Sequence, residues 1–392
     1  MISIEEAFQL VEEHATAIQS SVVSVDQALH CYLAVDVFSS INMPPFRQSA
    51  MDGYAVHIGH ENTYQLVGEV QAGDGENPSL APGETVRIFT GAPVPDTANA
   101  VVMQEKVSAN GESVHIEDPI LEGVNIRPMG EQVRAGETAL KKGTKLTPAA
   151  IGYLTSLGIT AVEVFDRPSV GIVTTGDELV TAGQPLSYGK IYESNTLMIQ
   201  SALRSFNYDD LTTYSVKDDY QATYDILGKA ISENDMVLIT GGISVGDYDF
   251  VGKALQEQRV DQIFYKVKQK PGKPLFFGKK EDKLIFALPG NPAAALSCFY
   301  TYVYMALEKR SGASEFLLPK TMAKSCSSFS KKGDRPQFLK AILALGEVTI
   351  LEGQNSSMLQ TFALANVLVF VPGDIQTIEP GDMVETIHLP KI

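Results

Sequence analysis

The spacing of apolar residues changes character several times along the chain, and each change marks a different kind of structure. Near the start, Phe8, Val11, Ala15 and Ile18 recur at helical spacing behind Ser3-Ile4-Glu5-Glu6, a capping box that satisfies the free N–H groups of a helix start. A second helical pattern is predicted from Ser24-Val25-Asp26 to about Leu33. From Ile41 to about Val124 the apolar runs are short, and glycine and proline are frequent. Residues 64–67, 85–88, 100–103 and 113–116 read as strands of a small all-β module, with Asn110-Gly111 as a hairpin turn. Thr147-Pro148 then supplies a cap and a first-turn proline for another helix, which Gly158 stops.

From Arg167 to about Ser311 strands and helices alternate. Strands are predicted at 170–173, 211–214, 236–239 and 284–288, and helices near 195–206, 220–233 and 292–309. Such alternation predicts a parallel sheet with helices on both faces, and ligands then sit beyond the carboxyl ends of the strands. After about Phe316 the pattern is β again, punctuated by Pro372-Gly373-Asp374 and Pro380-Gly381-Asp382. The expected class is α/β plus β: a multidomain chain with a central doubly wound, mostly parallel α/β domain, small flanking β domains and an N-terminal helical linker region.

Composition narrows the function. The 392 residues allow two to four domains, and 31 basic against 47 acidic side chains give a net charge of −16. That balance argues against non-specific binding to nucleic acid or to an anionic membrane. It also makes the basic cluster Lys266, Lys268, Lys270 and Lys273 conspicuous. Cys31, Cys298 and Cys326 are scattered, which fits a reducing cytoplasm rather than a disulfide framework. His57 and His60 are three apart but lack a third ligand nearby, so a zinc site is not expected. No apolar run reaches the roughly 20 residues that span a bilayer, and the acidic, amphipathic N-terminus does not read as a signal peptide.

Three glycine/proline turns carry the candidate chemistry. Thr240-Gly241-Gly242-Ile243-Ser244-Val245-Gly246-Asp247-Tyr248-Asp249 follows one predicted strand. Lys270-Pro271-Gly272-Lys273-Pro274 comes next, and Leu288-Pro289-Gly290-Asn291-Pro292 joins the last predicted strand to a helix. Glycines let backbone N–H groups approach an anion, helix starts leave such groups free, and Asn291-Pro292 reads as N-cap and first helical residue. Taken singly, each turn is equally an ordinary connection. Together, with two lysines projecting from a proline-fixed turn, they predict a site for a polyanionic small molecule. Carboxylates form a second set: Asp52, Glu178, Asp218 and Asp219, Asp247 and Asp249, with Asp177 read as a structural loop residue. Acids beside a polyanion need a counter-charge, and Mg²⁺ suits one or two carboxylates plus phosphate oxygens. The residues thus point to metal-assisted chemistry on a phosphate ester or oxyanion. Cys298 lies in an apolar helix and reads as core, not as a nucleophile.

Taken in order, these motifs resemble the molybdopterin molybdenumtransferase family, related to the C-terminal domain of gephyrin. The resemblance runs nearly end to end. It includes Pro44-Pro45-Phe46, Ser49-Ala50-Met51-Asp52-Gly53-Tyr54-Ala55, Thr90-Gly91-Ala92-Pro93-Val94-Pro95, Ala100-Val101-Val102-Met103-Gln104-Glu105, Arg127 to Gly130-Glu131, Thr174 to Leu179, Asn195 and the three turns. It implies insertion of molybdate into the dithiolene of adenylylated molybdopterin, assisted by Mg²⁺, with AMP leaving. It also implies an elongated four-domain subunit in a homodimer, with the cleft between one subunit's α/β domain and the partner's β domains. On that reading residues 1–40 and 125–166 form a discontinuous linker domain, 41–124 an inserted β domain, 167–312 the α/β molybdopterin-binding domain and 313–392 a C-terminal β domain.

The resemblance further implies site roles. Asp52 and Thr90 line the cleft from the β module; Glu178, Asp218 and Asp249 are acids near metal, molybdate or pterin, with Glu178 and Asp249 as metal ligands. Lys270 and Lys273 face the anionic substrate. Gly241, Gly242, Ser244 and Gly246 form the phosphate turn, Pro289, Gly290, Asn291 and Pro292 shape the pocket, and Ser356 serves from the C-terminal domain. Three departures stand out: Gln132 where relatives often carry aspartate, Arg47-Gln48 for Asp-Asn, and Lys340 for arginine, which keeps charge but loses bidentate geometry. Other readings are an adenylyltransferase or pyrophosphatase sharing the α/β domain, a gephyrin-like scaffold, and a nucleotide-binding module without turnover.

Overall fold

A computed structural model describes residues 1–242 and 250–390. Its centre is a six-stranded sheet in the order Leu211–Val216, Val170–Thr175, Met236–Thr240, Lys283–Leu288, Phe276–Lys280, Asp261–Tyr265. The first four strands pair parallel, and the last two are added through antiparallel pairings. Val170–Thr175 and Met236–Thr240 are buried throughout, which explains their unbroken apolar or threonine runs. The two antiparallel strands escape the sequence pattern because lysines and the Pro-Gly turn interrupt residues 261–280.

Alternate residues of each strand feed two separate cores. Ile172, Leu238 and Phe286 pack against the helices Ile4–His14 and Asn195–Ser205 and the long segment after Pro292. Val173, Val237 and Ile285 pack against the helices Tyr220–Glu233 and Phe250–Glu257. The predicted helix at 292–309 is present but contains a π-helical turn, Phe299–Val303, between two α-helical pieces.

The N-terminal helix is capped as its sequence requires, with Glu6 N–H donating to Ser3 Oγ at 3.0 Å. It ends at His14, so Ala15 is its cap and Ile18 lies beyond it. Its buried stripe Ile4, Ala7 and Val11 belongs to the core of the α/β sheet, and Ile2 bridges Val267. The start of the chain therefore packs on the sheet, where its apolar stripe finds apolar partners.

The second expected helix, 24–33, does not form. Only a 3₁₀ turn, Val25–Gln27, is present. The strand Ser20–Ser24 before it pairs with Ala161–Phe165, and the amides of His30 and Leu33 donate to Leu146 and Thr144 carbonyls at 2.7 and 3.1 Å. Val25, Ala28 and Leu33 still reach a core with Leu146, Leu154, Val162 and Val164, so burial is satisfied by an extended path instead of a helix. The later helix, Pro148–Ser156, starts at Thr147 as expected and Gly158 follows it at φ +75°.

Residues 53–116 contain a second six-stranded sheet, ordered Ala100–Met103, Gly53–Val56, Glu84–Ile88, Thr63–Val70, Ser113–Ile116, Val107–Asn110. The last two strands form the hairpin around Asn110-Gly111. Gly53–Val56 is a central strand not predicted from the sequence; a Cβ on Gly53 would stand 1.9 Å from the Val102 carbonyl oxygen, so only glycine fits. The C-terminal region closes a barrel of Lys320–Ser325, Glu347–Ile350, Gln337–Ala344, Val367–Val371 and Met383–His388.

Candidate active site

The carboxyl ends of three parallel strands open on one cavity of about 500 Å³. Thr174 and Thr175, Thr240 to Gly242, and Pro289 to Asn291 all line it. The geometry demands glycine at the first turn. Gly241 has φ +91°, and a Cβ there would meet the Thr175 carbonyl oxygen at 2.4 Å; Gly242 has φ +64°, and its Cβ would meet Val251 at 2.7 Å. A Cβ on Gly290 would lie 3.9 Å from Gly241 Cα, so the first and third turns are neighbours. Lys273 of the middle turn lines the same cavity, so all three turns reach it; Ser244, Gly246 and Asp249 lie outside the described residues.

Glu178 is the carboxylate on this cavity wall among the described residues. Its loop is pinned by Lys190 Nζ, which donates to the Asp177 carbonyl at 2.6 Å, and by Ile191 N–H, which donates to the Glu178 carbonyl at 2.9 Å. Asp218 is bonded to the strand end at Thr175. It lines neither this cavity nor the next; its carboxylate accepts from Thr175 Oγ1 at 2.7 Å and from Asp177 N–H at 3.3 Å. Asp218 thus ties two strand-end loops together. Asn195 Nδ2 donates to the Gly290 carbonyl at 2.9 Å, while its Oδ1 is buried without a partner among the described residues.

A second cavity of about 590 Å³ adjoins the first through shared walls at Lys273, Pro274, Pro289 and Asn291. Lys270, Lys273 and Arg335 are its charged lining, and no acid lines it among the described residues. Its far wall is the barrel loop Gln354-Asn355-Ser356. Neither Lys270 nor Lys273 has an ion-pair partner among the described residues, whereas Lys268 is committed to Asp334 at 2.5 Å.

Asn291 departs from its expected role. It occupies the N-cap position, but its side chain makes no capping bond; Nδ2 donates to Ser356 Oγ at 3.1 Å. The Ala294 N–H is shared between the carbonyls of Asn291 and Ser356, at 3.0 and 3.1 Å. The barrel loop therefore takes up one of the helix-start donors expected to face an anion. Pro292 sits in the first helical turn and lines neither cavity.

Several residues that hold the site carried no motif signal. Gln269, 1% exposed, donates from Nε2 to the Gly272 carbonyl at 3.1 Å and accepts from Tyr302 Oη at 2.5 Å. This buried pair fixes the lysine turn from below. Cys298 packs beneath the same turn, with its thiol pushed up to about 12 by burial, as fits a core residue. A Cβ at Gly272 would stand 2.3 Å from its sulfur.

Asp52 and Thr90 are brought together but lie away from both cavities. Asp52 Oδ1 accepts from Thr90 N–H and Oγ1, both at 2.7 Å, and these bonds hold its carboxyl below the usual range. Arg47 and Gln48 brace the neighbouring loop: the Arg47 guanidinium donates to carbonyls of Pro95, Asp96 and Ala98, and Gln48 Nε2 to that of Gly91. Nothing in the structure explains the side chain of Gln132. No group of three or more His, Cys, Asp or Glu is placed to hold a metal among the described residues, and no helix there is long and apolar enough to cross a membrane.

Comparison with known proteins decides the family. Residues 2–158 match the family described as the MoeA N-terminal region (domain I and II), 171–309 the "Probable molybdopterin binding domain", and 323–389 the MoeA C-terminal region (domain IV). A molybdopterin molybdenumtransferase of Haemophilus influenzae is 31% identical, over 98% of each chain. This chain belongs to the molybdopterin molybdenumtransferase family. A family member of the same name from Staphylococcus aureus is 29% identical over 98% of this chain and 95% of its own. A crystal structure of the molybdopterin biosynthesis moeA protein of Pyrococcus horikoshii OT3 superimposes with a TM-score of 0.86 at 29% identity, over 99% of this chain and 100% of that one.

Proposed function

We propose that this chain inserts molybdate into the dithiolene of adenylylated molybdopterin and releases AMP, forming molybdenum cofactor. One observation carries the reading: a cavity walled by phosphate-type turns joins a second whose lining charges are all basic, and Lys273 stands in the shared wall. The pterin nucleotide suits the first and the oxyanion the second. Bringing a dithiolate, phosphates and molybdate together is opposed by charge repulsion. Lys270, Lys273 and Arg335 relieve it, and preorganised donors at developing charge are the main source of such catalysis. The name and full-length match of the relatives point the same way.

Magnesium belongs to this reading. Glu178 on the cavity wall, with Asp249 as the family resemblance implies, would hold the ion, which needs only one or two carboxylates beside phosphate oxygens. Bound there, it would neutralise charge on the phosphoanhydride as AMP departs. A homodimer also belongs to it, because Asp52 and Thr90 lie outside both cavities of their own chain and suit a partner's cleft. The four-part domain division, a doubly wound centre and a cytoplasmic location complete the proposal; the three free thiols fit a reducing compartment.

The test is incubation with adenylylated molybdopterin, Mg²⁺ and molybdate while AMP is followed. Molybdate-dependent AMP release is expected, and Asp249→Ala should abolish it in a folded protein. AMP release without molybdate would favour a pyrophosphatase, and no release a scaffold or binding module.

A further inference from the structure

We infer that Lys340 is the positioning residue for the oxyanion end of the cleft: its ammonium is the buried post around which the Gln354-Asn355-Ser356 wall is built. The inference rests on the proposed function for the identity of the anion, but not for the geometry.

Lys340 lies on the barrel strand Gln337–Ala344 and is 4% exposed. Its Nζ donates to the carbonyls of Gly353, Asn355 and Met358, at 2.9, 3.2 and 3.1 Å. An ammonium has three donors and no acceptor, so this tripod saturates it. Gln354 locks the same loop from the other side: its Oε1 accepts from Lys340 N–H at 2.9 Å, and its Nε2 donates to the Lys340 carbonyl at 2.8 Å. Gly353 makes the tight entry at φ +76°, where a Cβ would meet Thr361 Oγ1 at 2.6 Å.

The outer face of this loop lines the same cavity as Lys270 and Arg335. Ser356 extends the connection, since its hydroxyl accepts from Asn291 and its carbonyl from Ala294 N–H. The position of one lysine thus sets the barrel side of the pocket and, through Ser356, the third turn of the sheet domain. No carboxylate among the described residues pairs with Lys340; burial alone depresses its basicity. A buried cation satisfied only by carbonyl dipoles is costly unless something negative comes near. Its charge adds to that of three basic groups on a wall without acids, so it favours an oxyanion there without touching it.

The tripod also fixes the residue type. Three carbonyls converging on one nitrogen suit a compact ammonium, and a planar guanidinium cannot place its donors on all three from one atom. Arginine is therefore not a silent replacement for Lys340 in this chain.

Lys340→Met and Lys340→Arg test this in the full-length protein. AMP release is measured with molybdate varied at saturating pterin nucleotide and the reverse, alongside amide hydrogen exchange of residues 353–358. For Lys340→Met, the KM for molybdate should rise by about 10-fold or more, with that for the pterin nucleotide within about 2-fold, and loop protection should be lost. Lys340→Arg should recover only part of both. Equal rises in both KM values, unchanged loop protection, or full recovery by arginine would overturn the inference. If Lys340→Met does not fold, the arginine variant alone decides by the same two readouts. Should the wild type release no AMP, the function fails while loop exchange still judges the positioning role.

Discussion

The two joined cavities are built by opposite means. The first is made of backbone: strand ends, glycines at positive φ and neighbouring turns within one sheet domain. Its charges are mixed, since Glu178 shares the lining with Lys266 and Lys273. The second is made of side chains and loops from two regions, held by the Gln269–Tyr302 pair on one side and by Lys340 on the other. Its lining charges are all basic. A backbone cradle tolerates almost no change of residue at its glycines, while a side-chain scaffold can be retuned one group at a time.

Lys273→Glu tests the comparison most severely, because this residue serves both cavities. A fall in kcat/KM on the order of 100-fold is expected, with weakened binding of both substrates; an effect on only one would separate the cavities. Gly241→Ala strikes the backbone cradle alone. Strain at φ +91° and the contact with the Thr175 carbonyl should cost about 1–3 kcal/mol of stability, read as a lower urea midpoint. Arg335→Ala removes one cation from the second cavity, and a rise of roughly 10-fold in molybdate KM with unchanged pterin KM is expected. The smallest effect concerns Asp52, outside both. Its folded pKa lies below the ordinary value because Thr90 donates to it. Its contribution to stability is therefore complete above about pH 4 and is lost as pH falls through the folded pKa. The melting temperature of Asp52→Asn should drop less steeply below about pH 4 than that of the wild type.

Much of the first cavity was legible in the sequence because glycine and proline leave a local signature. Gly241, Pro289 and Gly290 could be read as strand-end turns, and each has that place. The second cavity was only half legible. Lys270 and Lys273 stood out against an acidic chain, but Gln269, Tyr302 and Lys340 act through burial and long-range contacts that no local pattern encodes. Asp218 shows the converse: an acid beside a strand end also ties two loops, a contact that its local sequence does not encode. The failed helix at 24–33 has a similar cause, since the extended partners at Thr144, Leu146 and Val164 are far away in sequence.

The lysine turn does more than present cations. Lys270 N–H donates to the Pro336 carbonyl at 3.0 Å, and Phe338 N–H donates back to the Lys270 carbonyl at 2.9 Å. That stitch makes the turn a short extra rung on the barrel strand. Heat or denaturant that loosens the barrel must also tear this rung from the sheet domain, so the two regions should unfold in one calorimetric peak, and an anion gripped by the turn should move that peak as a whole.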